Sequence, residues 1–355
     1  MNNDRIQEIL DLMEEARLDY FLISDPQSIA YCTGYYNDPH ERMFVFMISK
    51  HGNHTLFMND LFYLEHDLDV NIVWHKDGQD AIQTIVDEMH FPGRIGIDKN
   101  WASHFLLDLM KKLPDAKYIN ASPCADLVRM KKDLQEQVLM IESSKINDAV
   151  MEEIIPFIQE GVTEKQLAKK LDELFFNHHS TCYGAIVAFG KNAADPHHEN
   201  DDTPLRKGDC VLIDMGCVYK GYCSDMTRTF FYEGILEEEI KVYEIVKKAN
   251  EAAEAMIKPG VKLSDIDKCA RKVISDEGYG KYFTHRLGHF IGRDVHEYGD
   301  VSSVNEMEVE EGMIFSIEPG IYLEGNFGVR VEDLVMVTKD RCQVLNSFTK
   351  DIYII

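Results

Sequence analysis

The chain has 355 residues, beyond the size at which one hydrophobic core is usual, so two domains are expected. With 62 acidic against 37 basic residues and a formal net charge of -25, it would repel a phosphate backbone, and no basic run offers an exception, which excludes nucleic acid as a partner. The opening MNNDRIQEILDLMEEARLDY has no basic segment followed by an apolar core, and no run of about 18 apolar residues occurs, so a cytoplasmic protein without a membrane partner is expected.

Residues 4–17 carry Ile6, Ile9, Leu10 and Met13 at helical spacing, and Tyr20 to Ile23 then reads as a buried strand. Strand-like runs at 44–48, 55–58, 71–74 and 95–98 alternate with helical stretches near 61–68, 78–89 and 101–113, which is an α/β pattern. The loop YYNDPHER (35–42), with Asp38, His40, Glu41 and Arg42, is either an ordinary polar connection or part of a site. The texture changes near Ala121, Ser122 and Pro123, giving expected domains of 1–124 and 125–355. A long helix is predicted over 127–159, with Leu134, Val138, Ile141, Ile146, Val150 and Ile154 on its apolar side. Thr163 and Gln166 have the form of a capping box opening a helix to about Asn177, and strand signals resume at 183–189.

The stretch Asp209 to Phe231, DCVLIDMGCVYKGYCSDMTRTFF, reads as a β-hairpin with aspartates where buried residues belong. A turn centred on Tyr219 and Lys220 would set Asp214 opposite Asp225, a repulsive pairing that calls for a positive charge between them. The alternative is one aspartate capping a turn and the other on a wet edge strand. An internal echo bears on this: Ile158-Gln-Glu-Gly161-Val162 recurs as Ile257-Lys-Pro-Gly260-Val261, 99 residues later, each joining one helix to the next. The duplication predicts a second carboxylate-bearing hairpin. Glu318 and Glu332, symmetric about Gly325, supply it.

Four inward carboxylates are prohibitive without cations, so a metal site is expected, with His289 of HRLGHFIG (285–292) as a fifth ligand. This oxygen-rich set suits two divalent ions, manganese first and cobalt, iron or zinc next, and such a pair suits hydrolysis. The eight cysteines include no C-x-x-C pair and read as reduced, buried thiols.

In order and spacing, Asp214, Asp225, His289, Glu318 and Glu332 resemble the dinuclear site of the pita-bread metallopeptidases, which include methionine aminopeptidase, aminopeptidase P and prolidase. The resemblance covers the whole chain and implies an α/β N-terminal domain plus an α+β pita-bread C-terminal domain with an internal pseudo-two-fold duplication. It implies that Asp225 and His289 hold one metal, Asp214 the other, and that Glu318 and Glu332 contact both, with Glu318 shuttling the proton of a bridging hydroxide. It further implies His197 and His296 as catalytic histidines, and His285, Arg330 and Tyr322 as the wall around a substrate proline.

The expected activity is hydrolysis of the bond before proline in Xaa-Pro dipeptides, by a homodimer. The alternatives are aminopeptidase P acting on longer peptides, a metal-free hydrolase of the creatinase type, or a non-catalytic peptide-binding module. Phe290 departs from the family, which commonly has glycine there, and would narrow the pocket beside His289. Arg293, with the loop bearing Asp38 and His40 reaching in from a partner subunit, is expected to shape the pocket for the first residue. Arg293→Ser should therefore reorder the ranking of Xaa-Pro substrates in a competition assay, and an unchanged ranking would refute this role.

Overall fold

A computed structural model describes residues 1–64 and 66–355, which form two compact units, Met1–Arg129 and Met130–Ile355. The first unit runs α1 (Asn3–Glu15), β1 (Tyr20–Ile23), α2 (Pro26–Thr33), β2 (Val45–Ser49), β3 (Thr55–Asn59), β4 (Asn71–His75), α3 (Ala81–Glu88), β5 (Arg94–Ile97), α4 (Ser103–Lys112), β6 (Lys117–Asn120) and α5 (Ser122–Met130). Its strands form one mixed sheet in the order β4-β3-β2-β1-β5-β6. Both faces are covered, which is why the strands read as continuous apolar runs. Phe21, Ile23, Phe46 and Ile48 pack with Ile6, Ile9 and Met13 of α1, while Tyr20, Leu22, Val45 and Met47 pack with Ile82 and Ile85 of α3.

The sequence reading overlooked β6 and α2, although α2 carries its signals in order: Asp25 accepts the Ser28 N–H at 2.8 Å, Pro26 opens the helix, and Gly34 closes it at φ +80°. The helix expected near 61–68 is absent among the described residues, Glu65 lying outside them. There Asn59 Oδ1 accepts the Leu61 N–H at 3.0 Å to make a turn, and Leu61 and Tyr63 face solvent.

The second unit begins with α6 (Leu134–Ile154), α7 (Glu164–Asn177), β7 (Thr181–Cys182) and β8 (Ile186–Phe189). A hairpin follows from β9 (Cys210–Met215), β10 (Cys217–Tyr219), β11 (Tyr222–Cys223) and β12 (Met226–Phe231). The scheme then repeats, with helices α8 (Glu237–Met256) and α9 (Leu263–Asp276) and short strands β13 (Gly288–His289) and β14 (Asp300–Val301). A second hairpin is built from β15 (Ile314–Ile317), β16 (Gly320–Leu323), β17 (Phe327–Arg330) and β18 (Asp333–Val337), and β19 (Cys342–Val344) edges its sheet. Helix pair and carboxylate hairpin thus occur twice, as expected of the duplicated pita-bread domain.

The single helix expected over 127–159 is two. Lys131 bridges to Met313, and Asp133 starts α6 with a capping box to Glu136. Of the apolar side expected for α6, Val150 and Ile154 are buried and Ile141 and Ile146 pack against the core, but Leu134 and Val138 are exposed, while Glu136, Ser143 and Asn147 are buried. Those polar groups hold the first hairpin: Asn147 Nδ2 donates to the Met215 carbonyl at 2.9 Å, Ser143 Oγ to that of Tyr222 at 3.2 Å, and Tyr222 OH to Glu136 at 2.8 Å. An apolar-period search passes over a helix face whose work is hydrogen bonding.

Candidate active site

The two hairpins set the register of the carboxylates. In the second, Ile317 pairs with Asp333 and Gly320 with Arg330, so Glu318 and Glu332 face each other across the strands, with Gly325 at the tip at φ +75°. In the first, the expected register is off by two residues. Lys220 and Gly221 both have positive φ, +48° and +83°, as a two-residue I′ hairpin requires, so the turn sits between them. Asp214 therefore pairs with Thr227, and Asp225 lies diagonally, on the same face. The displacement moves the two aspartates apart and inserts a hydroxyl. Thr227 Oγ1 donates to Glu332 Oε2 at 2.7 Å, and the Glu332 N–H donates to the Thr227 carbonyl at 3.1 Å, tying one hairpin to the other.

His289 reaches the carboxylates because β13 runs hard against β15; a Cβ on Gly288 would collide with the Ser316 carbonyl. The His289 N–H donates to Ser316 Oγ at 3.0 Å, and Ser316 Oγ donates to Glu318 Oε1 at 3.1 Å. His289 Nδ1 lies 3.2 Å from the Phe290 carbonyl, an acceptor, which places the ring proton on Nδ1 and turns the Nε2 lone pair inward. Nε2 stands 3.6 Å from both Asp225 Oδ2 and Glu318 Oε1. Ligand atoms of Asp225, His289 and Glu332 lie within 4.8 Å of one another.

Asp214, Asp225, His289, Glu318 and Glu332 all line one cleft of about 410 Å³, together with His197, His285, His296 and Arg330. Burial raises the carboxyls of Asp225, Glu318 and Glu332, Glu318 to about 7 and Glu332 well above its ordinary value, and their mutual repulsion adds to it. Burial alone would lower His289, yet the carboxylates of Asp225 and Glu318, each 3.6 Å from Nε2, hold its pKa up. Arg330 is the buried cation among them, and its Nη2 is committed to Asp214 Oδ2 at 2.6 Å.

A divalent metal fits this set. The donors are four carboxylates and one imidazole with an inward lone pair, and the raised carboxyls mark a place that lacks positive charge. A second group with ligand-type side chains, Glu164, His198 and Asp201, does not fit. Both Glu164 oxygens are already filled, Oε1 by the Phe189 N–H and Asn192 Nδ2 at 2.9 Å each, Oε2 by His198 Nε2 at 2.7 Å and the Asp201 N–H at 3.0 Å.

Tyr322 stands behind the cleft wall, where Arg330 Nη1 donates to its hydroxyl at 2.9 Å and the hydroxyl donates to His285 Nε2 at 2.8 Å. Burial and the Arg330 charge lower His285 to about 4, so its ring is the neutral acceptor this chain needs. The His296 ring stacks edge-on against His289, with centroids 4.3 Å apart, and burial and the neighbouring cations lower it to about 4. Arg293 is not among the lining residues; its guanidinium packs over the Tyr222 ring and against Gly221. In the other unit, Asp38 accepts the His40 N–H at 2.9 Å, and Arg42 pairs with Glu41 and Asp77.

Thr227 and Arg228 escaped the sequence reading. Arg228 is fully buried and donates from Nε to the Thr349 carbonyl, from Nη1 to those of Thr227 and Glu332, and from Nη2 to that of Phe348 and to Asp333 Oδ1. The usable signal was an arginine inside an otherwise buried strand, which needs a complete set of acceptors.

Comparison with known proteins agrees with this architecture. The model of "Metallopeptidase family M24" matches residues 138–339, and that of "Creatinase/Prolidase N-terminal domain" matches 5–131. An uncharacterized peptidase of Staphylococcus aureus is 34% identical, covering 98% of this chain and 99% of its own. Among solved structures, a dipeptidase of Pyrococcus horikoshii OT3 has a TM-score of 0.92 at 34% identity, over 99% of this chain and 100% of that one. A prolidase of Thermococcus sibiricus has a TM-score of 0.95 at 32% identity, over 100% and 99%. Two-domain order, duplicated hairpins and whole-length similarity converge, and the chain belongs to metallopeptidase family M24, in its branch with a creatinase/prolidase-type N-terminal domain.

Proposed function

We propose that the protein is a metal-dependent Xaa-Pro dipeptidase that cuts the bond before proline. Its metal ligands would be Asp214, Asp225, His289, Glu318 and Glu332, holding two divalent ions, manganese first. The main support is that five ligand-type side chains share one cleft with the hydrogen-bonded wall Arg330–Tyr322–His285. The names of the similar dipeptidase and prolidase structures point the same way. Bound metal would supply a water of lowered pKa and positive charge for the developing oxyanion.

The chain's own residues supply the rest. Glu318, which lines the cleft beside the other carboxylates, is placed to take the proton of the attacking water and pass it to the departing proline nitrogen. His296, neutral and on the cleft wall, offers a hydrogen bond to the reacting carbonyl, and His197 faces it from a second loop. His285, held from behind by the Tyr322 hydroxyl, presents a ring edge that suits a proline, and Arg330 on the same wall suits the carboxylate that follows it.

An aminopeptidase acting on longer Xaa-Pro peptides remains the second reading, because the same centre serves both and only closure around the carboxylate separates them. Rates on Xaa-Pro and Xaa-Pro-Xaa with added manganese decide between them. We expect the dipeptide to be cleaved with a kcat/KM at least about tenfold higher. Cleavage of the tripeptide alone would overturn the dipeptidase reading.

A further inference from the structure

His197 and His296 both line the cleft, and both rings are exposed to it without a hydrogen bond to any described residue. The His296 ring has only its edge-on contact with His289 to orient it, so placing the two rings falls largely to the backbone. They are 99 residues apart, the offset of the internal repeat. In each copy the residue that follows the histidine is locked into a buried pair.

After His197, the ring of His198 lies 2.7 Å from Glu164 at the start of α7, with side-chain exposures of 12% and 0%. The other donors to Glu164 are the Phe189 N–H on β8, Asn192 and the Asp201 N–H, so one carboxylate gathers both ends of the loop that carries His197. After His296, Glu297 lies 2.8 Å from Lys132, which precedes α6, with exposures of 5% and 1%. The second oxygen of Glu297 accepts the Arg293 N–H at 2.9 Å, and a Cβ on Gly292 would press into the carboxylate, so this loop too is cinched around a buried charge.

We propose that Glu164–His198 and Lys132–Glu297 are positioning pairs, each setting one cleft histidine against the reacting carbonyl. His197 sits in a tight turn, closed by the His198 N–H on the Asp195 carbonyl at 3.2 Å, and His296 in a loop whose Glu297 N–H meets the Phe290 carbonyl at 2.8 Å, so an anchor on the next residue leaves the histidine backbone little room to move. A proton donor held largely by its backbone loses effectiveness when it shifts by about 1 Å. The pairs touch no expected metal ligand, so they act on the rate and leave metal binding alone. The inference rests on the proposed peptidase reaction and on the roles given there to His197 and His296.

The test is a pair of double-mutant cycles in the manganese-loaded full chain. His198→Ala removes one donor and leaves the other three on Glu164, and Glu297→Gln keeps the shape. Each is expected to lower kcat on an Xaa-Pro dipeptide about ten- to a hundredfold, with metal stoichiometry unchanged. In the His197→Ala background, His198→Ala should cost nothing further, and in the His296→Ala background neither should Glu297→Gln. Losses that multiply in full would overturn the inference and leave the reaction standing, whereas native rates for both His197→Ala and His296→Ala would overturn the roles themselves. Thermal unfolding of the single variants separates positioning from instability: a purely structural pair lowers Tm equally in both backgrounds and kcat in neither.

Discussion

Asp225→Asn is expected to lose at least one tightly bound metal ion while the fold stays intact. Asparagine keeps the size of the side chain and can still meet His289, whose Nε2 is 3.6 Å away, but it withdraws one of the charges that bind a cation. Exchanging a residue that only orients a ligand typically costs 10- to 100-fold in metal affinity or activity, so removing a ligand should exceed about a hundredfold in hydrolysis rate. The metal-free variant should be no less stable than the metal-free native protein, since burial and Asp214 make the Asp225 charge unfavourable there. Metal analysis after manganese loading and dialysis, beside circular dichroism, reads both effects. Unchanged stoichiometry would refute the assignment of Asp225 as a ligand.

The second large effect is a pH-dependent penalty in the metal-free protein. Glu318 has a folded pKa of about 7 against an ordinary 4.5, so the folded state favours its neutral form. Its contribution is therefore complete below about pH 4.5 and is lost as pH rises through 7. Above pH 7 this amounts to on the order of 3 kcal/mol. Glu318→Gln, which cannot ionise, should be more stable than the native protein at pH 8 by that order when both are stripped of metal, and the gap should close near pH 4.5. His285 and His296, lowered to about 4, act in the opposite sense as pH rises to about 6.5, but they do so in both proteins and drop out of the difference. Saturating manganese should reverse the ranking, because the native carboxylate then gains binding free energy. Denaturant titrations at the two pH values, with and without metal, measure it. A gap independent of pH would refute the raised carboxyl.

Much of the cleft was legible in the sequence for a physical reason: charged residues inside apolar strands need an explanation, and the duplication told where to look for the second pair. Gly325 marked the centre of the second hairpin correctly because a three-residue tip around a single glycine leaves little freedom. The first hairpin offered Tyr219, Lys220 and Gly221 as turn residues, and the centre shifted to the pair able to adopt two positive φ values, which moved Asp225 by two places. Buried polar contacts were the harder part. Ser143, Asn147 and Arg228 are recognisable only once their acceptors, which lie up to 121 residues away, are in view. Exposed apolar side chains such as Leu134 and Val138 misled for the same reason, since periodicity counts hydrophobicity and cannot see partners.

Arg228 also bears on how the protein is made. Its guanidinium joins the strand after Asp225 to the backbone of Glu332 and closes only on the carbonyls of Phe348 and Thr349. During synthesis, the hairpin with Asp214 and Asp225 is finished more than a hundred residues before these last acceptors exist. A nascent chain thus carries a buried-type arginine whose donors stay partly unfilled until Phe348 and Thr349 are available, so the packing of one hairpin against the other is completed only by that late segment.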